Sequence, residues 1–103
     1  MSKDINSKFI SKGVIFHGVL LLPPLAALEF VRECLDGNIT LLGFDGFHLL
    51  PEGQRQPIGE DCLDLTAEPF LHCNQSEGIG IAVRFIEERL EKNIFFEMVT
   101  EFD

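Results

Sequence analysis

Two stretches of this chain place their polar side chains at helical spacing, and that repetition constrains the fold more than any other feature. Glu29, Arg32, Glu33 and Asp36 stand at i, i+3, i+4 and i+7, and so do Arg84, Glu87, Glu88 and Glu91. Each set forms one solvent stripe on an α-helix. Leu28, Val31 and Leu35, filled out by Ala27, Phe30 and Cys34, form the opposite side of the first. Ile79, Ala82, Val83, Ile86 and Leu90 do the same for the second. The first helix is expected over residues 24–36, with Pro24 in the first turn, where its missing N–H costs nothing, and Gly37 as a left-handed stop. The second is expected over 77–92, with Ser76 as N-cap, Glu77 in the first turn, Asn93 as the stop and Glu88–Lys92 as an i, i+4 pair.

Helices with one apolar stripe need a layer to cover it. Residues 13–22, 39–50, 58–66 and 94–102 supply extended candidates. The first, GVIFHGVLLL, is apolar and ends at Pro23; Gly18 marks a bulge or a close backbone approach. In ITLLGFDGFHLL, Asp45–Gly46 reads either as a tight hairpin turn or as a glycine bulge within one long strand. The bulge is preferred, because a hairpin would leave only Phe47 to Leu50 as its return strand. Residues 51–56 read as a turn. Over 58–66, Cys62, Asp64 and Thr66 alternate with Leu63 and Leu65, as in a half-buried strand. Residues 67–75 form a loop. The last stretch, IFFEMVTEF, is apolar on both faces, which suits a central strand or one that pairs with another chain.

The order β-α-β-β-α-β is that of the split βαβ, ferredoxin-like motif: an α+β domain with two helices on one face of a four-stranded antiparallel sheet. With 103 residues there is room for one domain, expected over 13–103 behind a flexible lead-in at 1–12. The first residues lack the apolar stretch of a signal peptide, and the longest apolar run, 19–28, is interrupted by two prolines and is about half a membrane span.

Seventeen acidic against eight basic side chains leave a formal net charge of −9. That excludes a basic face for nucleic acid or for anionic lipid and suits a basic protein partner. Cys34, Cys62 and Cys73 contain no C-x-x-C pair and read as free thiols of a cytoplasmic protein. Cys34, on a helix face beside Phe30, reads as buried and inert.

No catalytic set emerges. His17 and His48 fall in expected strands, and His72 is adjacent to Cys73 without the spatial pairing that a nucleophile and base require. H-x-x-x-H, H-E-x-x-H and G-x-S-x-G patterns do not occur, so neither a metal nor a cofactor is expected. Gly78 and Gly80 open the second helix, where an anion can bind, but close packing of helix on sheet explains two glycines equally well. The strongest candidate is an acidic cluster: Glu52, Glu60, Asp61, Asp64 and Glu68 fall within seventeen residues against the single base Arg55. It suits docking on a basic protein surface. It lacks the spacing of a calcium loop. Ten phenylalanines with no Trp or Tyr exceed the evident needs of a small core, and the surplus suits an apolar pocket or a homodimer face.

The run GVLLLPPLAALEFVRECLDGNITLLGFDGF, followed by a helix and a strand ending IFFEMV, resembles small acidic bacterial proteins of mobile gene cassettes and toxin-immunity loci. The resemblance spans about residues 13–99 and rests on element order and charge. It implies a non-enzymatic protein that plugs a basic toxin site. The expected function is therefore a non-catalytic acidic binding protein, of partner-docking or toxin-neutralising type. The alternative is a small-molecule binder or small enzyme with a Phe-lined pocket between sheet and helix or across a dimer.

Overall fold

The computed structural model describes residues 5–51 and 53–101. Its elements are α1 (Ile5–Phe9), a 3-10 turn (Ile10–Lys12), β1 (Val14–Phe16), β2 (Val19–Leu21), α2 (Pro24–Asp36), β3 (Leu41–Leu50), β4 (Gln54–Asp64), α3 (Gln75–Glu87) and β5 (Phe95–Thr100). The architecture is α+β, with a three-stranded antiparallel sheet in the order β4-β3-β5 and a separate two-stranded hairpin, β1-β2.

This departs from the four-stranded ferredoxin-like sheet expected from the sequence. The cause lies at His17 and Gly18, both at positive φ, 51° and 80°. A two-residue loop with two left-handed residues is a type I′ turn. It folds residues 13–22 back on themselves, pairing Phe16 with Val19 and Val14 with Leu21, so no long first strand remains to enter the sheet. Its only ladder pairing with the sheet among the described residues is an isolated bridge just past β2: the backbones of Leu22 and Phe96 exchange two hydrogen bonds, 2.9 and 2.7 Å. This contact is antiparallel, as is every strand pair among the described residues, so neither βαβ half forms. The central strand is β3; β5, which carried the two-faced apolar pattern, lies beside it.

Residues 39–50 contain no hairpin: β3 runs unbroken through Asp45 and Gly46, with a register shift there. Phe44 pairs with Leu63 and Gly46 with Ile58, so one residue of β3 faces residues 59–62 of β4, and the extra chain belongs to β4. The strand β4 also begins at Gln54, inside the stretch expected to be a turn.

Both principal helices form where their polar stripes fall. For α2 the observed limits equal the expected ones, Ala27, Leu28, Phe30, Val31 and Cys34 are buried, and Leu35 is exposed. Its stop is Asn38, at φ 55°, rather than Gly37, at φ −91°. In α3, Ile79, Ala82 and Ile86 are buried. The N-cap is Asn74, not Ser76: its side chain accepts from the Glu77 N–H at 2.8 Å, and the Glu77 carboxylate accepts from the Asn74 N–H at 2.9 Å. This reciprocal box sets the helix start. The helix ends at Glu87, so Glu88 and Lys92 lie in the following turns and Leu90 is exposed.

The lead-in is helical from Ile5 to Lys12, and Ile5 and Phe9 join the hydrophobic core, Phe9 meeting Phe30 at 5.2 Å between ring centroids. The helices α2 and α3 pack on each other, α2 on β5 and α3 on β3. Phe44 lies at the centre, edge-on to both Phe85 (5.4 Å) and Phe96 (5.1 Å). Much of the phenylalanine surplus is thus core.

Candidate functional site

Of the acidic residues singled out in the sequence, Glu60, Asp64 and Glu68 are exposed and Asp61 is not. Asp61 lies in the insertion of β4 and is turned inward, with 1 % of its side chain exposed. It accepts from Arg89 Nε at 2.7 Å and from Lys92 Nζ at 2.9 and 3.1 Å. Burial alone would push its carboxyl pKa up; the hydrogen bonds and charges of Arg89 and Lys92 outweigh that and hold it below the ordinary value. Arg89 also donates to the carbonyls of Phe85 (2.9 Å) and Glu60 (3.0 Å) and stacks its guanidinium 3.6 Å from the Phe85 ring centroid. Every donor is aimed at the protein's own atoms, so Asp61 acts as a tie between β4 and the end of α3.

Glu60 is exposed and 3.9 Å from Lys92. Glu68 is exposed in the loop after β4, 3.8 Å from His72 Nε2. Glu52 lies outside the described residues. Asp64 ends β4 in the open; one carboxylate oxygen accepts from both the backbone N–H and the hydroxyl of Thr66, which lowers its pKa.

Asp64 stands across the ladder from Gly43, and Asp45 is two residues further along β3, on the same sheet face. Between them is an open cleft of about 280 Å³, lined also by Leu63, Thr66 and Val99. Gly43 forms part of its wall for a steric reason: its φ is 150°, and a Cβ there would lie 2.2 Å from the Leu63 carbonyl oxygen. Among the described residues neither Asp45 nor Asp64 is paired with a cation. Asp45 also faces Glu97 across β3 and β5, and Glu97 is held by Arg55 at 3.2 Å. Asp45 was invisible as a site residue in the sequence, where Asp-Gly signals only backbone geometry. Its pairing partner on β5 is more than fifty positions away.

A second cleft, of about 260 Å³, is lined by Leu41, Leu65, Phe70, Cys73, Asn74 and Ile79, among others. Each of these two clefts has a single phenylalanine in its lining, Phe44 in the first and Phe70 in the second. The start of α3 beside the second cleft is occupied by its own capping carboxylate. Gly78 and Gly80 are not explained by tight packing: a Cβ at Gly78 would make an ordinary 3.5 Å contact with Leu65, and one at Gly80 would meet nothing within 4 Å.

Of the thiols, Cys34 is fully buried and its pKa is pushed up to about 12, by burial first and by the Glu33 carboxylate second. Cys62 is half-buried, 3.2 Å from the Ile58 carbonyl; burial raises its pKa against an opposing backbone hydrogen bond at Gly46, and the Asp45 and Asp61 carboxylates add to the rise. His17 reaches the Gly53 carbonyl at 3.4 Å, which sets the hairpin tip against the β3–β4 turn. Among the described residues no group of three His, Cys, Asp or Glu side chains is placed to hold a metal ion, and no helix is long and apolar enough to cross a membrane. Neither a family model nor a curated protein matches the chain.

Proposed function

We propose that this chain is a non-catalytic binding protein that offers carboxylates to a basic surface of a protein partner, in the toxin-neutralising manner its sequence resemblance implies. The observation that carries this reading is the cleft at Gly43, flanked by the exposed carboxylates of Asp45 and Asp64, neither of which is paired with a cation among the described residues. An arginine or lysine side chain entering beside Gly43 would meet both carboxylates and rest its methylenes on half-exposed Val99, the β5 partner of Gly43. The net charge of −9 adds long-range attraction that raises the association rate. Asp61 has no part in this, being consumed inside the fold; Asp64 is the member of the sequence cluster that contributes, and Asp45 joins it.

The test is binding of an arginine-rich peptide by fluorescence anisotropy at low and physiological salt. Asp45→Lys with Asp64→Lys should weaken binding at least about tenfold more than Asp36→Lys with Glu91→Lys, which changes net charge equally elsewhere. Equal losses in the two double variants would reduce the attraction to bulk charge and remove the cleft from the account.

A further inference from the structure

We propose that the free edge of β1 pairs with the same edge of a second copy of this chain, antiparallel, with Ile15 opposite Ile15. Three independent features of the hairpin lead there.

The first is backbone phase. In a two-residue turn the flanking pair, Phe16 and Val19, exchanges its hydrogen bonds within the hairpin, and the next pair, Ile15 and Leu20, directs its N–H and C=O groups outward. Leu22 confirms the phase on β2, since its N–H and C=O leave the hairpin to bond Phe96. By the same alternation Ile15 presents a donor and an acceptor on the side of β1 away from β2, and among the described residues β1 pairs with β2 alone. An antiparallel two-fold about Ile15 satisfies both groups twice over.

The second is that this edge is unguarded. The opposite edge of the molecule, β4, carries Arg55, Pro57, Glu60 and a bulge of three extra residues, devices that keep strands from pairing with strangers. The edge VIF is short, three residues, but carries no charge, proline or bulge. Ile15 is 55 % exposed and Val14 39 %, with Ile10 exposed on the turn before them.

The third is charge, which selects the occupant. Residues 5–28 contain no Asp or Glu in a chain that carries seventeen. The two lysines of that stretch are neutralised by α2, Lys8 on Glu33 at 2.6 Å and Lys12 on Glu29 at 2.9 Å. A basic partner finds no carboxylate on the hairpin itself, residues 14–21. A second copy, repelled wherever acid meets acid, brings an equally neutral apolar edge by the two-fold. This surface is separate from the carboxylate cleft of the proposed function.

Sedimentation equilibrium over a concentration series decides it. The expected mass rises from 11.6 kDa toward twice that value, and the association holds or tightens in high salt, where like charges are screened. Ile15→Pro removes the outward N–H without touching a bond inside the hairpin, and Ile15→Lys places charge on the edge. Both should weaken self-association at least about tenfold while circular dichroism and peptide binding at the carboxylate cleft stay unchanged; if the proline variant does not fold, the lysine variant gives the reading alone. A wild-type mass that stays monomeric up to about 1 mM, a dimer dissolved by salt, or a dimer left intact in folded Ile15→Lys would each overturn the proposal.

Discussion

Arg89 holds Asp61 at 2.7 Å inside the protein, joining the turn after α3 to the insertion of β4. Lys92 completes the arrangement, and the Phe85 ring beneath the guanidinium keeps Arg89 desolvated, with 17 % of its side chain exposed. Removing the carboxylate leaves one nearly buried cation and one half-exposed cation without their partner. Asp61→Ala should therefore destabilise by about 2–4 kcal/mol, somewhat under the full cost of breaking a buried pair because Lys92 reaches water. Urea unfolding at neutral pH measures this, and Glu60→Ala, one residue away and exposed, should stay within about 0.5 kcal/mol of wild type.

The same tie makes stability depend on acid. The folded-state pKa of Asp61 is lowered, so the unfolded chain takes up the proton first as pH falls. The contribution is present above the unfolded carboxyl value, about 3.9, and is lost as pH falls through the lower folded value. Asp64 is shifted the same way by Thr66 and erodes in the same acid range. Subtracting Asp61→Asn from wild type isolates Asp61. Their difference in urea midpoint should be constant from about pH 7 to 5 and shrink steadily below about pH 4. A difference that grows on acidification would reverse the assigned sign.

The helices were legible in the sequence because their signals are local. Pro24 and the polar stripe gave the limits of α2, and the apolar residues of both helices fell on the buried side with the exceptions of Leu25 and Leu35 in α2, while Leu90, expected in the second helix, lies exposed beyond its end. The start of α3 was also written locally, as Asn74 followed three residues later by Glu77, but Ser76 offered a rival cap. The hairpin at His17–Gly18 was obscured because histidine is not among the residues that usually signal a left-handed turn. The inward turn of Asp61 could not be read at all. A carboxylate in an alternating strand looks exposed, and its burial depends on cations 28 and 31 positions away. Asp45 and Asp64 likewise meet only through the β3–β4 register.

Burial predicts the order in which the thiols react. Cys34 is sealed among core residues with its pKa at about 12, so a thiolate does not form at working pH. An aromatic disulfide reagent at about pH 8 should leave Cys34 unmodified until the protein unfolds, while half-buried Cys62 and Cys73 react in the folded state. Mass mapping of labelled peptides checks the assignment, and rapid folded-state labelling of Cys34 would mean that α2 opens from the core.

Two glycines should respond oppositely to the same added methyl group. At Gly43 the backbone sits at φ 150°, and a Cβ would strike the Leu63 carbonyl oxygen at 2.2 Å, a backbone atom that moves only if the β3–β4 ladder moves. Gly43→Ala should cost about 3 kcal/mol or more. It should also lower arginine-peptide binding by deforming the cleft beside Asp45 and Asp64. Gly80 lies inside α3 with open space where its Cβ would be and no left-handed φ. Alanine there restricts the unfolded chain, suits the helix and meets nothing, so Gly80→Ala should stabilise by about 0.5–1 kcal/mol. Thermal melts of the two variants should move in opposite directions. A destabilised Gly80→Ala would show that this face of α3 is covered by something that the isolated chain does not contain.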